Sequence, residues 1–542
     1  MRRIVAKIIS KILLAKEQVR WRLANNCVRK AEWMYRAALV FFCILCGVAW
    51  YQRTINMWML KNIGDSLITK TLGSRNIILG VFHRQKNEQN VPGNYVVIHF
   101  LADSRQEHFL YCFSKQPDNR YYWTRAKVQR ISRGKRAASD VCAWAGHIAE
   151  CELEVHAFKE FKLSSTKEVE DAMVLTPEQP LREPRHDLVV CMAPMYIYTD
   201  WEILLVGIET WLALGATKII VPIQSASTTT YKILKEYEKR GLVIIRTWPK
   251  WPILSDTNPN GLVLSRGIEE SHVNCLFFAK PFANMIAFTD VDDMLLPSDP
   301  LNIRPNINVD ILKALFAEHP QAGSLLFEHR DVQLQLRETP TTLANFNFNF
   351  LMDSKQKMNC NVWRMKTRVV VNASRVDSVN MHETGLHRFS YVQTRVPCRQ
   401  AHFYHLRHNH HTVQNSVAIN MATLVSNLNR QWYRRLESFA DFRDEPLNKS
   451  STESFDDFDR CMSAINDEHW TLHVSRCLTP HVCFSRLSRD VDCVAARAEY
   501  EFFRSGANGY FLQVSNVSIT TSDANCEAPV PPLVSGNHYF AP

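Results

Sequence analysis

From residue 187 onward, short apolar runs alternate with longer stretches of helical periodicity. Residues 188–192 read as a strand. Residues 201–214 read as a helix that Gly215 stops, as a C-capping glycine does. A second strand is predicted at 218–223, a helix at 228–239 ending at Gly241, a third strand at 242–246 and a helix at 264–279. A fourth strand follows at 285–288. Strand–helix alternation at this spacing predicts a mostly parallel α/β sheet with right-handed crossovers and helices on both faces. Further on, 311–318 is helical, 324–328 and 366–371 are strands, 345–350 is a strand or a loop, and 412–437 is a helix.

The segment before this region has a different rhythm. Residues 95–163 carry short β-like runs separated by polar turns, which predicts a small β-rich domain. Residues 164–185 are polar, with Pro177, Pro180 and Pro184, and read as a linker. Domain boundaries follow: 53–94 a stem, 95–185 the β-rich domain and linker, 186–440 the α/β domain, and 441–542 an irregular Cys-containing extension.

The fourth strand delivers the candidate chemistry. Residues 284–297 read Asn-Met-Ile-Ala-Phe-Thr-Asp-Val-Asp-Asp-Met-Leu-Leu-Pro, so Asp290, Asp292 and Asp293 stand at the end of a buried strand. Asp-x-Asp there offers hard oxygen ligands to Mn²⁺ or Mg²⁺, and such a cation can hold a diphosphate. In open α/β sheets ligands bind where strands end. A solvated turn is the plain alternative.

Charge narrows the partners. The chain has 542 residues and a net charge of +10. Residues 1–36 hold ten Lys/Arg against Glu17 and Glu32, a net of +8, so the rest is nearly balanced and nucleic-acid binding by the main body is not expected. Residues 37–52 are uncharged and mostly apolar between Arg36 and Arg53. With the basic side first, they predict a type II signal anchor with the N-terminus cytosolic, although a span ordinarily needs about 20 residues. A cleaved signal peptide and a buried core helix are the alternatives. The twelve Cys that follow would then face a lumen where disulfides form. Sequons for N-glycosylation stand at Asn372, Asn448 and Asn516.

Taken in order, several elements resemble glycosyltransferase family 92. They are Trp201-Glu202, Gly215-Ala-Thr-Lys-Ile-Ile-Val with Gln224-Ser225, Val243 to Trp248-Pro249, Asn274-Cys275, Phe288-Thr-Asp-Val-Asp-Asp, Ser374-Arg-Val with His382, and His405-Leu-Arg407. The resemblance covers about residues 187–436. It implies a GT-A (Rossmann-like) fold and a Golgi type II enzyme. It also implies Mn²⁺-dependent transfer of galactose from UDP-galactose to a glycan or glycoprotein acceptor. The chain departs from the family pattern at three positions: Asp293 stands where Glu is usual, Ala373 where Pro is usual and Leu406 where Tyr is usual.

On this resemblance Asp290 and Asp292 are expected to hold the metal, with His405 as third ligand. Arg407 is expected to grip diphosphate through its planar fork. Asp290 also faces the donor, and Pro194, Tyr196 and Gln224 are expected to meet the nucleotide. Asp293, His382 and Trp248 are expected on the acceptor side, with a supporting place behind the metal ligands the alternative for Asp293 and packing an even alternative for Trp248. Glu328, Asp331 and then Glu383 are candidate general bases. A catalytically inactive, glycan-binding relative is the alternative reading, and a metal-dependent hydrolase ranks last.

Overall fold

The computed structural model describes residues 11, 13–18, 35–48, 50–51, 74–84, 94–132, 142–154, 157–181, 183–254, 257–334, 340–357, 367–407, 416–439, 442–447, 491–506, 509–522, 526, 529 and 533–534. Residues 1–72 form one unit, and residues 73–542 another. In the first, residues 35–48 are helical and exposed. Among the described residues no helix is long and apolar enough to cross a membrane, so the anchor expected at 37–52 is not supported. The physical reason is length: the uncharged stretch stops at sixteen residues, short of the roughly 20 that span a bilayer.

The first four strands of the second unit's α/β sheet are parallel as the sequence pattern predicts, while the eleven-stranded sheet as a whole is mixed rather than mostly parallel. Strands Val243–Thr247, Lys218–Ile223, His186–Met192 and Ala283–Thr289 lie side by side and parallel. Thr367–Asn372 then inserts antiparallel between Ala283–Thr289 and Ala322–Gln333. The His186–Met192 strand is buried on both faces, as central parallel strands are. Leu188, Val190 and Met192 enter one core with the helices Trp201–Ala213, Thr228–Lys239 and Ala422–Ser438. Val189 and Cys191 enter another, under the helix Ile268–Ala279. The disulfide Cys191–Cys275 ties the first strand to that helix.

Several boundaries shift for local reasons. The helix expected from residue 264 begins at Ile268, because Ser265, Arg266 and Gly267 take positive φ values of 47°, 59° and 79°. The helix expected from 412 begins at Ala422, after a short strand Ser416–Ala418. Residues 345–350 are neither strand nor plain loop; they lie across two 3-10 turns, Leu343–Asn345 and Asn349–Asp353.

The larger correction concerns the ends of the second unit. Ser74–Arg84 lies in the expected stem, yet it is a largely buried strand paired with Asn94–Asp103. Its other edge pairs in parallel with Gly509–Ser522, which forms a long hairpin with Cys493–Ser505. The C-terminal extension, expected to be irregular, thus completes the N-terminal sheet. This seven-stranded sheet packs on a four-stranded one built from Tyr111–Lys115, Tyr121–Arg125, Glu160–Ser164 and Met173–Leu175. Cys112–Cys151 joins the two sheets. Short-range pattern shows that these segments are strands but not which distant strand completes them.

Helix Trp201–Ala213 rests directly on the acidic turn. A Cβ at Gly207 would stand 2.1 Å from the Val291 carbonyl oxygen, so only glycine admits this approach. Gly207→Ala is expected to cost about 3 kcal/mol through this backbone clash. A lowered thermal midpoint checks it.

Candidate functional site

Strand Ala283–Thr289 ends in the turn Asp290-Val291-Asp292, where the Asp293 N–H donates to the Asp290 carbonyl at 3.3 Å. The chain then runs on as Asp293–Pro297, antiparallel to Ala401–Arg407, with Asp293 opposite His405. Ala401–Arg407 also lies parallel to Ala322–Gln333, which brings His329 close. Thr367–Asn372 supplies Arg368. Five strands, two flanking the turn and three from distant parts of the sequence, therefore converge on the acidic turn.

Asp293 is the centre of this convergence and is 0% exposed. Its Oδ1 accepts from His329 Nε2 at 2.9 Å and from His405 Nδ1 at 2.7 Å. Its Oδ2 accepts from Arg368 Nε, from the Asp290 N–H at 3.1 Å and from the Thr289 hydroxyl at 3.3 Å. Trp211 Nε1 donates to its carbonyl oxygen at 3.1 Å. Burial alone would raise this carboxyl; Arg368, His329 and His405 outweigh it and hold Asp293 well below the usual range. Asp293 was expected either behind the ligating carboxylates or on the acceptor side, and the first of these is what its burial matches. With every bond directed inward, it is a buried positioning residue.

Asp290 and Asp292 are the open carboxylates, with side chains 30% and 29% exposed. Asp290 also accepts from Arg368 Nη2. Asp292 Oδ1 lies 3.4 Å from His405 Nδ1. Burial, reinforced by the neighbouring Asp293 and Asp290 and opposed by His405, pushes Asp292 up to about 7. Burial would lower His405, but Asp292 and Asp293 overcome it and raise the imidazole to about 9. A divalent cation would relieve the like-charge repulsion that adds to burial in the Asp292 shift.

Asp290, Asp292, Asp293 and His405 each offer a ligand atom within 4.8 Å of the others. Three carboxylates and one imidazole suit a borderline cation such as Mn²⁺. The Asp293–His405 bond is the carboxylate–imidazole pairing that orients a ligating ring. The residues present fit a divalent ion held by Asp290, Asp292 and His405, with Asp293 behind them.

The remaining predicted residues divide. Glu328 faces away from the cluster: its Oε2 accepts from Arg330 Nε and Nη2 at 3.1 and 2.9 Å, on the strand face opposite His329. Asp331 is exposed and pairs in register with His405. Glu383 is half-buried in the turn closed by Asn380, whose Oδ1 accepts its N–H at 2.7 Å. His382 packs behind Arg368, its Nδ1 lying 3.4 Å from Nη1. Arg407 ends its strand, and its side chain lies outside the described residues, as do His408, His410 and His411.

Four expected ligand contacts are walled in. Tyr196 is buried and its hydroxyl donates to the Arg266 carbonyl at 2.7 Å. Trp248 is buried with Trp251 and Tyr196 in a core shared with Ile77, Trp144 and Leu512 of the β-sandwich. Gln224 is buried and its carbonyl accepts from the Ala496 N–H. Pro194 is buried in the same loop. Tyr196 and Trp248 pack in a core with Leu512 of the C-terminal hairpin, and the Gln224 main chain bonds to that hairpin, so these residues join the two parts of the second unit rather than face a ligand.

Sequence reading missed Arg368, His329 and Tyr198. For Arg368 a signal existed: an arginine inside an apolar strand requires a carboxylate partner. Tyr198, in the loop before helix Trp201–Ala213, has a buried hydroxyl with no hydrogen-bond partner among the described residues. Burial, with Asp200 and Asp292 nearby, raises it well above the usual phenol range.

Arg368→Met removes the one arginine shared by Asp290 and Asp293. It is expected to cost about 3–5 kcal/mol, because two partly or wholly buried carboxylates lose their partner. Urea unfolding followed by tryptophan fluorescence measures it.

The family model of Glycosyltransferase family 92 matches residues 186–455. Three Caenorhabditis elegans relatives share this resemblance. Glycosyltransferase family 92 protein F59C6.8 is 26% identical over 270 residues, 49% of each chain. Protein C33H5.2 is 29% identical over 133 residues, 23% of this chain and 26% of its own. Protein F13G3.3 is 26% identical over 157 residues, 28% of this chain and 30% of its own. The chain thus spans half or less of the length of these relatives. Among solved structures, Staphylococcus aureus TarS 1-349 aligns over 41% of this chain and 60% of its own, with 13% identity and a TM-score of 0.24. The same protein in complex with UDP-GlcNAc aligns over 53% and 73%, with 10% identity and the same TM-score. The fold assignment rests on the strand order described above. Through residues 186–455, which contain the four parallel strands and the acidic turn, the chain belongs to glycosyltransferase family 92.

Proposed function

We propose that this chain is a metal-dependent glycosyltransferase that moves a hexose, galactose from UDP-galactose, to a glycan acceptor with inversion. The observation that carries the proposal is the pair of open carboxylates, Asp290 and Asp292, set over a sealed Asp293 at the end of a central parallel strand. Family membership supports glycosyl transfer; the donor, the inverting course and the cation come from the resemblance and from the donor set. A bound divalent cation supplies charge neutralisation for the leaving diphosphate.

The chain's own residues do the rest. Asp293 holds His405 through Nδ1 and, with Asp290, fixes Arg368, so the ligand atoms are ordered before any ion binds. Such preorganisation spares reorganisation during the reaction. Among the candidate bases Asp331 is favoured, because register sets it beside His405 and on the strand face of His329. It would take the acceptor hydroxyl proton as that oxygen attacks the sugar carbon.

A luminal, Golgi setting is proposed from the disulfides. Cys112–Cys151, Cys191–Cys275 and Cys493–Cys526 are formed, and Cys142 is also disulfide-bonded. Such bonds persist in oxidising compartments.

Two experiments test this reading. A glycan-array transfer assay with a panel of UDP-sugars, with and without Mn²⁺, is expected to show Mn²⁺-dependent transfer. Asp292→Asn should lower it by roughly 10³-fold or more while leaving the unfolding midpoint within about 1–2 °C. Transfer that survives Asp292→Asn would sink the metal assignment; absence of transfer from every donor would leave the glycan-binding alternative. For localisation, Asn516 is exposed, whereas the Asn372 carboxamide oxygen accepts from the Ser374 N–H and hydroxyl at 3.1 and 2.7 Å. Endoglycosidase treatment of the secretory-pathway protein should give a gel shift that Asn516→Gln reduces and Asn372→Gln does not.

A further inference from the structure

The four-stranded sheet of the β-sandwich presents a face that the transfer chemistry does not use. Cys112 turns inward, bonded to Cys151. By alternation Tyr111, Phe113 and Lys115 lie on the other face, where Phe113 is covered by its neighbours and Tyr111 and Lys115 are partly exposed. Their cross-strand partners on the adjacent strand are Arg125, Trp123 and Tyr121. On the other side Phe113 pairs with Lys162, which pairs with Val174. Trp123 is 48% exposed, as is Val174.

This outer face is aromatic and basic together. The Tyr111 and Trp123 rings lie 6.1 Å apart. Lys115 and Lys162 stand 5.7 and 5.3 Å from the Tyr121 ring, and Lys167 stands 5.7 Å from that of Trp123. Arg125 lies 4.8 Å over Phe109, which is 50% exposed. Against these cations, Glu160 shares the face and is engaged by the Tyr121 hydroxyl and by Lys162 at 3.3 Å.

We propose that this face binds a carboxylated glycan, a chain of uronic-acid residues. The half-exposed indole of Trp123 and the partly exposed phenol rings of Tyr111 and Tyr121 offer flat surfaces to the C–H faces of pyranoses. The lysines and Arg125 offer charge to carboxylates spaced along the polymer. Four cations, Lys115, Lys162, Lys167 and Arg125, stand against the single carboxylate of Glu160 on this face, and the basic excess disfavours an apolar peptide as occupant. The inference rests on the reading of the protein as a glycan-modifying enzyme only for its biological sense; the binding itself is independent of transfer.

The test uses the full chain and immobilised hyaluronan, with dextran as neutral control and phosphatidylserine vesicles as a lipid control, across a salt series. Salt-sensitive hyaluronan binding is expected, with little on dextran. Trp123→Ala and the exposed-site Lys167→Glu should each weaken it by about tenfold. Asp292→Asn should leave it unchanged, which separates this site from failure of the transfer reading. Equal binding to dextran, tighter binding to the vesicles, absence of binding, or binding that survives both surface substitutions would each overturn the proposal. The last outcome would place the contact on the basic residues 1–36. Circular dichroism of the Lys167→Glu variant guards against loss of fold.

Discussion

The buried ion cluster around Asp293 is the constraint on which the rest of the site depends. One carboxylate with no solvent contact accepts from two imidazoles, a guanidinium and two groups of its own turn. A carboxylate so placed is stable only if every partner arrives in register. The cluster therefore locks five strands to one another, and it leaves Asp290 and Asp292 as the partly exposed carboxylates. The shorter Asp, where the resemblance leads one to expect Glu, fits this role: it bonds back to the N–H of Asp290 in its own turn.

A second dependence runs through the β-sandwich. Its largest sheet needs a strand from residues 74–84 and a hairpin from residues 493–522, and that hairpin reaches Ser225–Ser227 beside the parallel sheet. Trp248, Trp251 and Tyr196 fill the joint core. Asp377 adds a polar tie, accepting from Arg84 of the sandwich and from Lys280 and Arg388. The loop after the first parallel strand is thereby built into the protein interior, and a ligand must approach from the side of Asp290 and Asp292.

Much of the α/β domain was legible in the sequence. Strands 188–192, 218–223 and 285–288 and the helices 201–214 and 228–239 appear within a residue or two of their expected places, since period and capping are local properties. The acidic turn and His405 were legible as a set of ligand types, and the structure brings them together. Arg368 and His329 were not, because a charged residue in an apolar strand announces a partner without naming it. Trp248, Tyr196 and Gln224 were misread as ligand-facing because exposure depends on the C-terminal hairpin, some 250 residues away.

What the sequence determined by itself is the alternation of strands and helices, the acidic strand end and the excess of positive charge in residues 1–36. Each follows from neighbours along the chain. Only the tertiary structure decided which carboxylates face solvent, which bases share the site's face and how the two ends of the second unit close one sheet. Those outcomes follow from strand register and order, and register between distant segments is settled by the joint burial of all of them.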